Sequence, residues 1–146
     1  MSRMIFVNLP VTDLSRSIAF YEAIGAEKNE EFRDDSSQAM MFSDVIWVML
    51  LDHEKFASFT PRAIPDAHHT SQVLLCLSAD SREDVDATVA KAIGAGGHAD
   101  PGPTQDFGFM YGRSFEDPDG HIWELTWMDV EAARAASSHA STPVEA

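Results

Sequence analysis

The tetrapeptide Ala23-Ile24-Gly25-Ala26 recurs as Ala92-Ile93-Gly94-Ala95, each time at the end of a stretch with helical spacing. In the first half, Leu14, Ile18, Tyr21 and Ile24 repeat at intervals of three and four. Asp13 can cap the start of that helix and Gly25 supplies the stop. In the second half, Val85, Val89, Ala92 and Ile93 form an apolar stripe that opens after Ser81 and ends at Gly94, Gly96 and Gly97. A strand-like run precedes each helix, "MIFVNLPV" and then "QVLLCLSAD". Behind the first helix come "EKNEEFR", "QAMMFS" and "VIWVMLLD", separated by turn signals at "DDSS" and Asp44. Behind the second come "HADPGPTQD", a loop or weak strand, then "GFMYGRSFE" and "HIWELTWM". The order β-α-β-β-β is thus written twice, which restricts the chain to a duplicated unit. With 146 residues, the two units share one compact domain.

Charge removes some functions. Ten basic residues face 24 acidic ones, a formal net of −14, so a nucleic-acid partner is not expected, because phosphate neutralisation needs clustered Lys and Arg. The longest apolar run, "VIWVMLL", is far too short to span a bilayer, and no signal peptide opens the sequence. The lone cysteine, Cys76, excludes an internal disulfide and fits a reducing cytoplasm; within "LLCLS" it reads as a buried apolar filler. Beyond Asp129, residues 129–146 read as a tail that begins as a short helix and is partly disordered.

The segment "FEDPDGHIWELTWMD" (115–129) raises the functional question. Strand alternation puts His121, Trp123, Leu125 and Trp127 on one face, and Ile122, Glu124, Thr126 and Met128 on the other. Glu124 is therefore a mid-strand carboxylate among Ile, Thr and Met. The turn Asp117-Pro118-Asp119-Gly120 admits two registers. A three-residue loop with a bulge at Gly120 sets Ser114 across from Glu124, whereas a four-residue loop sets Arg113 there as an ion pair. The glycine favours the first.

Two β-α-β-β-β units, "VNLPVTDLSRSIAFYEAIGA" near the start and "DPDGHIWEL" near the end, resemble the vicinal oxygen chelate superfamily of glyoxalases, bleomycin-binding proteins, fosfomycin-resistance enzymes and extradiol dioxygenases. The segment "GFMYGRSFEDPDGHIWE" is most similar to the bacterial subgroup described as predicted lactoylglutathione lyases. The resemblance implies an α+β fold in which two β-α-β-β-β modules form a curved mixed sheet around a central cleft. A single domain over 1–128 is expected, with module one at 1–54 and module two at 69–128. It also implies a homodimer, which the apolar Trp123 and Trp127 face suggests independently.

In metal-dependent members the acid of the "DPDGxxxE" segment is a ligand, and Glu124 matches it. The first-strand His position falls on Phe6, its counterpart in the second unit on Val73 or Leu74, and the remaining acid position within "VIWVMLL", nearest Met49. Three of these four places lack a suitable donor, so no metal and no cofactor is expected. His68-His69 sits in a loop, His121 at a turn, and His53 and His98 have no partner at ligand spacing. No glycine-rich phosphate loop and no Ser-His-Asp or Cys-His pairing is visible.

What remains is a pocket for a planar or apolar small molecule. The aromatic residues Phe6, Trp47, Phe107, Phe109, Tyr111 and Trp123 supply its walls. The expected site comprises Glu124 in a catalytic role, with Phe6, Asn8, Trp47, Met49, Phe109 and Ser114 binding substrate. Two functions fit: a glyoxalase-like lyase or isomerase using Glu124 as base, or a sequestering protein of the bleomycin-resistance kind.

Overall fold

The computed structural model describes residues 3–140. Module one runs β1 (Ile5–Val11), α1 (Leu14–Ala23), β2 (Glu27–Asp34), β3 (Ser37–Met41) and β4 (Ile46–Asp52). A short helix α2 (His53–Ala57) opens the connection to module two. Module two runs β5 (Leu75–Ser78), α3 (Arg82–Gly94), β6 (His98–Ala99), β7 (Gln105–Asp106), β8 (Met110–Glu116) and β9 (Ile122–Met128), and helix α4 (Val130–Ala140) follows. The tail thus begins as a helix; its expected disorder concerns residues beyond 140, outside the described ones.

The α+β architecture of two β-α-β-β-β modules is as the sequence indicates, and each module builds its own mixed sheet. Sheet one has the order β1-β4-β3-β2; sheet two has β5-β9-β8-β6, with β7 also on β8. In both, the first strand lies parallel to the last, β1 on β4 and β5 on β9, while the other pairs are antiparallel. Only the short "HADPGPTQD" segment splits, giving the two-residue strands β6 and β7.

Both helices serve a core shared by the two sheets. Phe20 and Tyr21 of α1, Val85, Val89 and Ala92 of α3, Val48 and Leu50 of β4, and Phe115, Trp123 and Leu125 of sheet two are buried together. Burying each of the Val, Leu and Phe side chains stabilises the fold by about 1.5–3 kcal/mol. Asp13 caps α1 by accepting from Arg16 N–H, and Ser81 caps α3 by accepting from Asp84 N–H.

Three expectations require correction, and one element is additional to those expected. Ile93 is 50% exposed, because the buried stripe of α3 follows Val85, Val89 and Ala92. Cys76 is exposed, since alternation along β5 turns Leu75 and Leu77 to the core and Cys76 away from it. Helix α2 was not anticipated; Asp52 caps it by accepting from Lys55 N–H. The Trp123 face does not await a partner subunit. Trp123 is 2% exposed, covered within the chain by Tyr21 and Phe42, while Arg82 lies over Trp127.

A buried polar chain crosses this core. Trp123 Nε1–H donates to Tyr21 Oη (2.9 Å), and Tyr21 O–H donates to Asp117 Oδ2 (2.7 Å). Asp117 Oδ1 also accepts the amides of Asp119 and His121, both at 2.9 Å. Burial pushes the Asp117 carboxyl above its usual range; burial and the neighbouring Asp117 raise the Tyr21 hydroxyl. Tyr21→Phe removes the acceptor of Trp123 and one donor to Asp117. It should cost about 2–3 kcal/mol in urea unfolding, with the native circular dichroism retained.

Candidate functional site

Packing the helix-side faces together turns the opposite faces outward. On sheet one that outward face carries Phe6, Asn8 and Pro10 of β1 in register with Trp47, Met49 and Leu51 of β4. Phe6 lies 5.4 Å from Trp47 between ring centroids, and Phe32 lies 5.8 Å from it on the other side. Four expected site residues, Phe6, Asn8, Trp47 and Met49, are therefore neighbours. Phe6 stands on an open face at 51% exposure.

On sheet two the outward face carries Glu124. The Asp117 N–H donates to His121 O (2.9 Å), the Gly120 N–H donates to Asp117 O (3.0 Å), and Gly120 has φ +91°. This is the three-residue loop, and it pairs Ser114 with Glu124. Arg113 falls on the other face, where it donates to Asp86 Oδ1 (2.9 Å) and to both oxygens of Asp100 (3.1 and 2.8 Å). Those carboxylates hold the guanidinium above its ordinary value, and the Tyr111 hydroxyl and Arg113 hold Asp86 below its own.

On its other flank Glu124 is in register with Cys76, whose Sγ lies 3.4 Å from Thr126 Oγ1. Glu124 is half-buried and, among the described residues, has no hydrogen-bond or ion-pair partner. Ser114 is less available than the sequence suggests. It is buried, and its Oγ accepts the Gly102 N–H (3.0 Å), so the 100–104 loop occupies the hydroxyl.

Phe109 does not join the others. It stacks on Phe107, 6.3 Å between centroids, and lines a shallow depression with Met128, Val130 and Arg134 beside α4. The six expected wall aromatics are thus dispersed. Phe6 and Trp47 share one face, Phe107 and Phe109 lie at the far end of β8, Trp123 is core, and Tyr111 donates to Asp86.

The best-formed cavity, of about 450 Å³, lies where the sheets meet. Asn8 and Pro10 of β1, Val73 and Leu75 at the start of β5, and Gly120, His121 and Ile122 of the hairpin form its walls. The connection from Phe56 to Gln72 forms its roof, including Arg62. Glu124, Ser114 and Phe6 are not among its lining residues; the cavity approaches their faces only through Asn8 and Ile122.

A second, polar cavity of about 430 Å³ adjoins it, and here His53, His68 and His121 converge with Arg16, Asp66 and Asp119. No spacing signals that convergence, because the three histidines come from separate segments: His53 opens α2, His68 lies in the connection and His121 follows the hairpin loop. The one available cue was Gly120. A Cβ there would lie 2.6 Å from the His68 backbone nitrogen, so a side chain is excluded where hairpin and connection touch.

The resemblance set out above places a metal site at four positions. The four relevant positions hold Phe6, Met49, Glu124 and the apolar, exposed Val73 or Leu74. One carboxylate among phenylalanine, thioether and alkyl groups does not suit a divalent ion that prefers oxygen and nitrogen ligands. Among the described residues no group of three or more His, Cys, Asp or Glu is arranged to hold a metal ion. None of their helices is long and apolar enough to cross a membrane.

The family model for the Glyoxalase/Bleomycin resistance protein/Dioxygenase superfamily matches residues 3–125. Among solved structures, a hypothetical protein from S. aureus is similar at 28% identity and a TM-score of 0.73, covering 87% of this chain and 95% of its own. A glyoxalase/bleomycin resistance protein/dioxygenase family enzyme from Burkholderia phytofirmans PsJN is similar at 21% identity and a TM-score of 0.70, covering 87% and 99%. The fosfomycin resistance protein FosX from Listeria monocytogenes is similar at 20% identity and a TM-score of 0.64, covering 90% and 97%. No curated protein matches the sequence.

Gly120→Ala combines a left-handed backbone with a collision against His68 and Ala67. It should destabilise the protein by about 2 kcal/mol or more in urea unfolding. Hydrogen exchange should also quicken in the connection around residue 67.

Proposed function

The chain belongs to the Glyoxalase/Bleomycin resistance protein/Dioxygenase superfamily, and we propose that it is a glyoxalase-like small-molecule-binding protein whose ligand occupies the cavity between its two sheets. The observation that carries this reading is the cavity itself. About 450 Å³ lies within the range of small-molecule sites, and its exposed wall is mainly apolar, with polar side chains such as Asn8, Arg62 and Gln72 at its margin. Metal-assisted chemistry is not part of the proposal, since Phe6, Met49 and Val73 or Leu74 stand where ligands would be needed. One equivalent of Zn, Ni, Mn or Fe in the purified protein would contradict that. The finer reading as a lactoylglutathione lyase is correspondingly weakened, because an enolate formed without a Lewis acid forgoes several kcal/mol of stabilisation.

A second reading, catalysis, is favoured by Glu124. A half-buried carboxylate without a partner, flanked by Cys76 and Ser114, is free to abstract a proton next to a carbonyl. Binding in the cavity and turnover at Glu124 are separable.

We also propose a homodimer, now through the outward faces instead of the Trp123 face. Phe6 at 51% and Phe32 at 55% exposure flank Trp47 on that face, and Val73 and Leu74 are exposed as well, which leaves apolar side chains for a second copy to cover. Light scattering should read twice the 16.1 kDa chain mass at micromolar concentration, and a monomer would remove the idea. A reducing cytoplasm suits the exposed Cys76 thiol.

A thermal-shift screen against a metabolite library tests the main reading. A true ligand at roughly a hundred times its Kd should raise the wild-type Tm by about 5 °C or more. Ala63→Trp, which fills the cavity from its roof, should abolish the shift, and a shift that survives would contradict the assignment. Glu124→Gln should leave the shift intact. If any turnover of that ligand exists, Glu124→Gln should remove it.

A further inference from the structure

The cavity is free of acidic side chains, a feature it shares with the shallow depression beside α4 that Arg134 lines. The chain carries 24 acidic residues among 146, yet no Asp or Glu lines this cavity, and Arg62 does. The nearby carboxylates belong to the adjoining cavity and are engaged there. Asp119 accepts from Thr12 and Ser17, and Asp66 accepts from His68 N–H while facing His69 Nδ1 at 2.8 Å. The other ionisable lining group, His121, has its Nε2 2.8 Å from Pro10 O.

Arg62 also stands apart from most other arginines. Arg33 pairs with Glu30, Arg82 with Asp106, Arg113 with Asp86 and Asp100, and Arg16 lies 3.6 Å from Asp119. Among the described residues, Arg62 makes no ion pair; only its backbone N–H is engaged, donating to Thr60 Oγ1 at 3.2 Å. In a chain with this excess of carboxylates, an unpaired guanidinium beside an acid-free cavity leaves a place for an external anion. A guanidinium offers a planar fork of donors suited to such a group. Thr70, Ser71 and Gln72 line the same roof with further polar side chains, while Phe56, Val73, Leu75 and Ile122 supply apolar wall.

From this arrangement we propose that the ligand is an amphipathic organic anion, its carboxylate-like head held by Arg62 and its apolar body packed between Phe56 and Ile122. The assignment rests on the cavity-binding reading above and adds the ligand's charge. The head group is recognised by charge-assisted hydrogen bonds from the roof. The body is recognised by exclusion of water from the wall.

The test is isothermal titration of matched pairs: naphthoate, benzoate and octanoate, each against its neutral amide. The proteins are wild type, Arg62→Met, Arg62→Lys, Ala63→Trp and, as a distant charge control, Lys91→Met. Wild type should bind the carboxylates about tenfold or more tightly than the amides, the equivalent of one charge-assisted contact. Arg62→Met should lose that preference and keep its amide affinity; Arg62→Lys should retain part of it; Lys91→Met should retain all of it. Ala63→Trp should lose both kinds of probe. Equal binding of acids and amides by wild type, or a preference that persists in Arg62→Met, would overturn the anion assignment and leave the cavity reading standing. Binding of no probe, or binding indifferent to Ala63→Trp, would overturn both.

Discussion

Two carboxylates on one tight hairpin loop hold the modules in their relative position. Asp119 accepts the Thr12 N–H (3.0 Å), the Thr12 hydroxyl (2.7 Å) and the Ser17 hydroxyl (3.4 Å), all at the entrance and first turns of α1. Asp117, two residues earlier, accepts the Tyr21 hydroxyl one turn further along the same helix. The loop belongs to module two and every one of those donors to module one. Among the described residues no strand ladder joins the two sheets, so these contacts and the shared apolar core fix their mutual angle. Each such hydrogen bond, once buried, is costly to leave unmade, because the abandoned partner would lose its only substitute for water.

The same docking creates the proposed binding site. Strand β1 delivers Asn8 and Pro10 just before Thr12, and the hairpin delivers Ile122 just after Asp119, so one contact positions two walls of the cavity. Gly120 lets the loop lie directly against the connection at Ala67 and His68, which brings the roof down onto those walls. Glu124 lies one strand repeat beyond Ile122 and so outside the cavity, on a face that stays open in the single chain. Fold membership therefore leaves the chemistry open, and the ligand-binding and carboxylate functions divide between two neighbouring surfaces.

The parts of this arrangement set by local periodicity could be read from the sequence. The two helices, their Asp13 and Ser81 caps, the strands on either side and the Ser114–Glu124 register all follow from repeat spacing and one turn glycine. What could not be read depends on which face of each sheet meets the other module. The apolar content of Trp123 suggested an interface between subunits, but Tyr21 and Phe42 reach it from within the chain. Cys76 seemed core-like among leucines, yet a single strand step turns it outward. The largest omission was the connection between the modules. It lacks periodicity, and its placement depends on close approach to Gly120, which is distant in sequence. Arg62 and the convergence of His53, His68 and His121 were invisible for that reason.

Hydrogen exchange on the protein with and without its tightest-binding organic anion tests the central claim most directly. A ligand held between the sheets should slow exchange in the connection from about residue 56 to 73 and in the hairpin around residues 120 to 122. The strands bearing Phe6 and Trp47 should change little. Protection confined to the strands around Cys76 and Glu124, with none in the connection, would contradict the account.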